Sequence, residues 1–382
     1  MTKVYILAVE NSADHLGAQL ALALRAQDST IKLAGIGGAA MRDAGVPSQM
    51  DISGLAILGF TEGLRSYPHI LRKVKEAAMR IIESGADAAI LIDSWGFMVR
   101  VAQRLKKLGY TGQIIKYLAP QVWAMREGRA KILARHVDHL LTIHSFDAPY
   151  FEAHGLPVYY VGNPVFDEDY QSGDAQILRN EYSLGDKDIV AVFFGSRPSE
   201  IARLAKPFAD AITHLRESHP DVALLSAVSQ SVAKEVGAAA GGDLRLQEVI
   251  LLPEARKLDV MACAKTALAC SGTMTSQLAA AGVPSVVAYK LAPLTYLAAK
   301  RLYKPDYISI VNIAAGRALM PEFMQGEANG PKLAAAVASY LDNPETQKSA
   351  ARALLEQTAK MRGSLDKSAS AQAALAVLEI LA

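Results

Sequence analysis

The sequence predicts an α/β fold built on parallel sheets and divided between two domains. Three observations carry this. Continuous apolar runs, of the kind buried on both faces in parallel sheets, recur at residues 3–9, 88–92, 189–194 and 267–270. The runs feed turns of small or polar residues, several of which open helices, the rhythm of βαβ units. The chain has 382 residues, enough for two cores.

Composition narrows the functional classes. Hydrophobic residues are 51% and charged residues 20%, ordinary for a globular α/β protein with a slight apolar excess. The net charge of +2 is too small to argue for nucleic acid. The two cysteines, Cys263 and Cys270, lie in apolar surroundings without metal-like partners and read as buried thiols in a reducing compartment. The first apolar run is too short and too early for a secretory signal, and no run approaches a membrane span.

In the first half, residues 3–9 form a buried strand that ends at Glu10, followed by Asn11, Ser12, Ala13 and Asp14 and a helix through Arg25. Glu10 stands at a strand's C-terminal end, where such folds bind ligands; Asp14 also suits the first turn of the helix. No G-x-G-x-x-G follows the first strand, which argues against a nicotinamide enzyme. Residues 55–80 interleave Leu58, Phe60, Leu64 and Tyr67 with Arg65, Arg72, Lys73 and Lys75. Apolar bulk beside basic charge suits an anionic lipid surface, and a core helix with one solvated face gives the same pattern. The strand at 88–92 ends at Asp93, which is placed either to act as a general base or to cap the helix that follows. Strands at 114–118, 137–143 and 158–161 complete the domain, and Gly162-Asn163-Pro164 closes it.

Residues 166–186 are polar and read as a linker. The second domain opens with the strand at 189–194, which runs into Gly195-Ser196-Arg197 and a long helix. Gly195 permits close backbone approach, and Arg197 offers a planar fork to a phosphate. The densest turn is Ser271-Gly272-Thr273-Met274-Thr275-Ser276-Gln277, between the strand at 267–270 and a helix stopped by Gly282-Val283-Pro284. Four hydroxyls crowd that helix start (Ser271, Thr273, Thr275 and Ser276), where free N–H groups and the helix dipole favour an anion. Plain N-capping calls for the same residue types.

Taken in order, these stretches resemble the lipid-A-disaccharide synthase family, inverting glycosyltransferases of the GT-B type. The resemblance rests on Asp14-x-x-Gly17-Ala18, Leu55-Ala-Ile-Leu-Gly59, Ile92-Asp93, Pro120-x-Val122-Trp123-Ala124-x-Arg126 and Gly195-Ser196-Arg197. It continues through Ser271-Gly272-Thr273, Ala299-Lys300-Arg301-Leu302, Asp306-Tyr307 and Asn312-x-x-x-Gly316-Arg317. It implies two Rossmann-like domains facing a cleft, with an acceptor and lipid domain at 1–165, a UDP-sugar donor domain at 186–345, and C-terminal helices at 346–382 that pack back on the first domain. The implied reaction joins UDP-2,3-diacylglucosamine to 2,3-diacylglucosamine 1-phosphate and releases UDP, at the cytoplasmic face of the bacterial inner membrane.

On this reading Asp93 and Glu10 are the catalytic candidates. Gly195, Ser196, Arg197, Ser271, Gly272, Thr273, Gln277 and Asn312 hold the donor. Ser12, Asp14, Trp123 and Arg126 line the acceptor side, and Leu58, Phe60, Arg65, Arg72 and Lys73 face the membrane. No cofactor or metal is expected, and a homodimer is left open. The chain departs from the family pattern in having Gly96 and Met98 for a second aspartate and an asparagine, Gln277 for a glutamate and Asn163 for a histidine. These departures leave two alternatives: a relative with another UDP-sugar or acceptor, epimerase-like enzymes included, and a silent UDP-sugar or lipid binder. Retained Asp93 and Arg197 argue against silence; Gly96 and Gln277 argue for it.

Overall fold

The computed structural model describes residues 1–52, 55, 62–364 and 366–382, with backbone alone at 62–67, 294, 298 and 299. The chain divides into two compact units, Met1–Pro164 with Arg362–Ala382, and Val165–Met361. Each is built on a six-stranded sheet, and every strand pair is parallel.

The first sheet contains β1 (Lys3–Leu7), β2 (Lys32–Ile36), β3 (Ala88–Ile92), β4 (Gln113–Tyr117), β5 (His139–Thr142) and β6 (Val158–Tyr160), in the order β2-β1-β3-β4-β5-β6. Its strands are mainly apolar because both faces are covered, Lys116 of β4 being a buried exception. Tyr5, Leu7, Ala89 and Leu91 pack on helices Glu62–Ser84 and Trp95–Lys107. Val4, Ile6, Ile90 and Ile92 pack on the other face against helices Asn11–Gln27 and Ala369–Leu381. The last helix thus completes the first core with Ala373, Ala374 and Val377.

The second sheet contains β7 (Ile189–Phe193), β8 (Ala223–Val228), β9 (Val249–Pro253), β10 (Thr266–Cys270), β11 (Ser285–Tyr289) and β12 (Glu322–Met324), in the order β12-β11-β10-β7-β8-β9. Residues 166–186 are not a free linker. Tyr170, Leu178 and Leu184 enter the second core, and helix Ala175–Glu181 is capped by the Asp174 carboxylate, which accepts from the Gln176 and Ile177 N–H groups. Helix Pro344–Arg362 likewise belongs to the second unit, through Leu354 and Met361.

Strand order locates the ligand edges. In a doubly wound sheet the crevice lies beyond the strand C-termini where the order reverses. That point falls between β1 and β3 in the first unit and between β7 and β10 in the second. The turns after these strands carry Glu10 and Asp93 in one unit, and Gly195–Arg197 and Ser271–Thr273 in the other.

Candidate active site

The switch point of the second unit holds a cavity of about 370 Å³. Gly195, Ser196, Arg197, Ser271, Gly272, Thr273 and Gln277, all expected from the sequence to meet the donor, line it together. Gly195 needs to be glycine: its φ is +116°, and a Cβ there would lie 2.8 Å from Glu200 Oε2 and 3.2 Å from Cys270 Sγ. Arg197 is the N-cap of helix Pro198–Ser218, and Pro198 opens that helix at the position that needs no N–H. Gly272 starts helix Thr273–Ala280 in extended backbone without a side-chain cap, so the positive helix end lines the cavity.

Sequence reasoning missed Glu200. Its buried carboxylate accepts from the Ser196 N–H at 3.1 Å and from Arg197 Nη1 at 2.7 Å. It therefore fixes both the turn and the guanidinium. Its signal was its place one helical turn beyond Arg197, in the first turn of the helix. Ser226, Ser229, Glu254 and Lys257 are further lining residues with no motif to announce them. Burial, with Glu200 adding to it, pushes the Cys270 thiol up to about 12, so this lining thiol stays protonated at neutral pH.

Two donor-side expectations change. Of the four hydroxyls, Thr275 and Ser276 are buried, and Thr275 Oγ1 donates to the Gly272 carbonyl at 2.7 Å; Ser271 and Thr273 alone among them line the cavity. Asn312 is fully buried away from it. Its amide donates to Met320 O at 2.8 Å and Glu322 Oε1 at 2.7 Å, and its oxygen accepts from Leu319 and Met320 N–H. Every polar atom is spoken for, so Asn312 holds the 319–322 segment and leaves nothing for a donor.

At the first unit's switch point, Glu10 is the N-cap of helix Asn11–Gln27, and Ser94 Oγ donates to Glu10 Oε1. Asp93 and Ser94 both lie in the left-handed region, at φ 52° and 37°. Ser94, not Asp93, is the N-cap of helix Trp95–Lys107, and no side-chain cap bond is made there. Asp93 is half-buried, and its N–H donates to Tyr117 O at 3.0 Å. The capping alternative for Asp93 therefore falls away. Beside this turn the Arg129 guanidinium lies 5.2 Å over the Trp95 ring, a cation–π contact not foreseen from sequence.

The acceptor-side residues separate. Ser12 and Arg126 are exposed, and Arg126 is at φ 60°. Asp14 is not a cleft residue: it is buried and accepts from the N–H groups of Gly38 at 2.6 Å, Ala40 at 2.9 Å and Met41 at 3.1 Å, anchoring the next helix start. Trp123 is also buried, edge-on to Phe146 at 5.3 Å. Its indole N–H approaches Asp147 without good hydrogen-bond geometry, while Thr142 Oγ1 donates to that carboxylate. Burial pushes the Asp147 carboxyl up to about 6, and Thr142 and Trp123 hold it back.

On the expected membrane face, Leu58, Phe60 and the Arg65 side chain lie outside the described residues. Arg72 is exposed, 3.0 Å from His69 Nδ1. Lys73 is not an open surface charge: its side chain is 12% exposed and pairs with Glu76 at 3.4 Å. From Ile70 onward the helix buries Ile70, Val74, Ala77, Ala78 and Ile81 in the core, the pattern of a packed helix with one wet face. No helix among the described residues is long and apolar enough to cross a membrane.

Comparison with known proteins bears on this geometry. Residues 4–377 match the family described as lipid-A-disaccharide synthetase. The chain is 35% identical over 380 residues to the lipid-A-disaccharide synthase of Rhodospirillum centenum, covering 99% of this chain and 94% of that one. It is 38% identical over 368 residues to the enzyme of that name from Paramagnetospirillum magneticum, covering 95% and 92%. Among solved structures, a UDP-GlcNAc 2-epimerase from Neisseria meningitidis bound to UDP-GlcNAc superposes with a TM-score of 0.63 at 11% identity, over 100% of this chain and 99% of that one. A glycosyltransferase from Rickettsia africae gives a TM-score of 0.63 at 9% identity, over 100% and 98%. These two show a shared GT-B fold. The family match runs through both units, and with the relatives' identity across nearly the whole chain it shows that this chain belongs to the lipid-A-disaccharide synthetase family, the hexosyltransferases of lipid A biosynthesis.

Proposed function

We propose that the chain transfers 2,3-diacylglucosamine from UDP to 2,3-diacylglucosamine 1-phosphate, inverting the anomeric centre and releasing UDP. The observation that carries this is the assembly of Gly195, Ser196, Arg197, Ser271, Gly272 and Thr273 around one cavity at the switch point of the second unit. Arg197 and the uncapped N-terminus of helix Thr273–Ala280 supply positive charge where a leaving diphosphate gathers electrons. The acceptor is assigned to the first unit. Its 6-hydroxyl attacks C1 of the donor sugar, and the C1–O bond to the diphosphate breaks with its electron pair leaving on UDP. The hydroxyl proton passes to the Asp93 carboxylate. Among the described residues the carboxylate of half-buried Asp93 accepts no hydrogen bond. Glu10, beside it through Ser94, shapes the same edge.

The acylated substrates place the enzyme at a lipid surface, as a peripheral protein on the cytoplasmic face of the inner membrane. Exposed Leu71, Arg72 and Lys75 on helix Glu62–Ser84 support such contact. The deciding experiment measures UDP release from UDP-2,3-diacylglucosamine with and without the diacylated acceptor. Release that depends on the acceptor is expected. Acceptor-independent release, or UDP binding without turnover, would turn the assignment toward an epimerase-like enzyme or a silent binder.

A further inference from the structure

Lys116 is a lysine where a parallel sheet has no ordinary use for one. It lies in β4 between Ile115 and Tyr117, in the centre of the first sheet, and is 2% exposed. Lysine is almost never buried this fully without partners. Its partners here are backbone oxygens: Nζ donates to Asp93 O and Tyr117 O, each at 2.8 Å, and to Leu91 O at 3.3 Å. Three bonds use all three N–H groups of an ammonium, one more than a neutral amine can give.

These carbonyls are set among the residues whose backbone is least at ease. Asp93, Ser94 and Leu118 are non-glycine residues at φ 52°, 37° and 70°, and they directly follow, or include, the residues whose carbonyls Lys116 holds. Such conformations persist only where the surroundings over-determine them. The Asp93 N–H and the Lys116 ammonium both bond Tyr117 O, which closes the clamp across β3 and β4.

We propose that Lys116 is a positioning residue for the transfer step, tying the ends of β3 and β4 so that the left-handed Asp93–Ser94 turn presents the Asp93 carboxylate and the Ser94–Glu10 pair to the acceptor. The proposal rests on the assignment of Asp93 as proton acceptor. Burial pulls the Lys116 ammonium down to about 7, while Asp93 and Glu10, the charged groups acting on it, hold it up.

The test is a double-mutant cycle in the full chain: wild type, Lys116→Met, Asp93→Asn and the double variant. Each is assayed for acceptor-dependent UDP release, with UDP calorimetry at the second unit's cavity and thermal melting as controls. Lys116→Met should lower turnover by about 10²-fold, the effect of a misplaced reacting group, while UDP affinity holds. Added to Asp93→Asn it should cost nothing further, because its effect runs through Asp93. If the two losses multiply instead, Lys116 supports the fold alone and the proposal fails. Near wild-type turnover in Lys116→Met beside a crippled Asp93→Asn sinks the proposal and leaves Asp93 standing; wild-type turnover in Asp93→Asn sinks the Asp93 assignment itself. Where Lys116→Met does not fold, Lys116→Gln keeps two N–H donors and serves in its place. Lost turnover that depends on Asp93 supports the clamp, and full turnover overturns it.

Discussion

Gly195→Ala tests whether the turn after β7 is built as described. The substitution adds one methyl. At φ +116° the alanine is strained wherever the methyl goes, by about 1–3 kcal/mol. The methyl also has no room: Glu200 Oε2 lies 2.8 Å from it, Glu200 Cβ 2.9 Å and Cys270 Sγ 3.2 Å. Glu200 cannot swing aside without leaving the Ser196 N–H and Arg197, and overpacking of this kind costs about 1–3 kcal/mol. One shift of the turn relieves part of both, so the expected loss is about 2–4 kcal/mol rather than the full sum. In a unit of this size that lowers the melting temperature by about 5–15 °C. The shift also carries Ser196 and Arg197 off their donor positions, so UDP affinity should fall at least about tenfold. Gly272 is the control. It lines the same cavity in extended backbone, and nothing lies within 4 Å of its would-be Cβ. Gly272→Leu should therefore melt near wild type and still lose UDP, because its side chain fills the cavity. Scanning calorimetry and UDP titration read both variants. Wild-type melting and binding in Gly195→Ala would refute the reasoning about the turn.

Arg197→Ala should weaken UDP binding by about 1.5 kcal/mol, the lower end of a charge-assisted contact, because the 71% exposed guanidinium must first give up part of its pairing with Glu200; unchanged affinity by calorimetry would misplace the diphosphate. Asn312→Ala should cost at least about 2–4 kcal/mol of stability, since it strands the Leu319 and Met320 N–H groups, while the UDP affinity of the folded fraction holds. Loss of UDP binding at normal stability would return Asn312 to the donor site. Asp147 gives a pH signature. Its folded value of about 6 lies above the ordinary carboxyl value of 3.8, so the folded state binds the proton more tightly. The stability it contributes is full below about 3.8 and is lost as pH rises through about 6. Asp147→Asn should remove this fall, measured as denaturant midpoints at pH 4.5 and 7; a slope that survives in the variant assigns it to another group.

Most strands of the two sheets were legible because a parallel strand is buried on both faces and shows as a largely apolar run. The donor turns were legible because their residues are contiguous: a strand end and the helix start that follows present neighbours in sequence to one cavity. What stayed hidden is partnership across the chain. Asp14 and Asn312 have the residue types and motif positions of ligand contacts, and each spends its oxygens on backbone N–H groups elsewhere, at 38–41 and 319–320. No local pattern separates a carboxylate that meets a substrate from one that meets a distant helix start.

Lys116 and Glu200 fail in the opposite sense, as functional geometry without a visible motif. A lysine in Gln-Ile-Ile-Lys-Tyr reads as the polar side of an alternating strand, because sequence does not reveal that both faces of β4 are covered. A glutamate in the first turn of a helix reads as a favourable dipole contact, which it also is. Both charges are buried directly beneath a turn of unusual backbone, Glu200 under Gly195 and Lys116 under Asp93 and Ser94. In each unit the switch-point turn is held from below by one buried charged side chain. The departures divide: Gly96 is exposed, while Met98 and Asn163 are buried. A Cβ at Gly96 would meet nothing nearer than Arg100 Nη1 at 3.7 Å, so the missing carboxylate is not a steric exclusion. The change lies on the exposed side of the turn and not on the side held by Lys116.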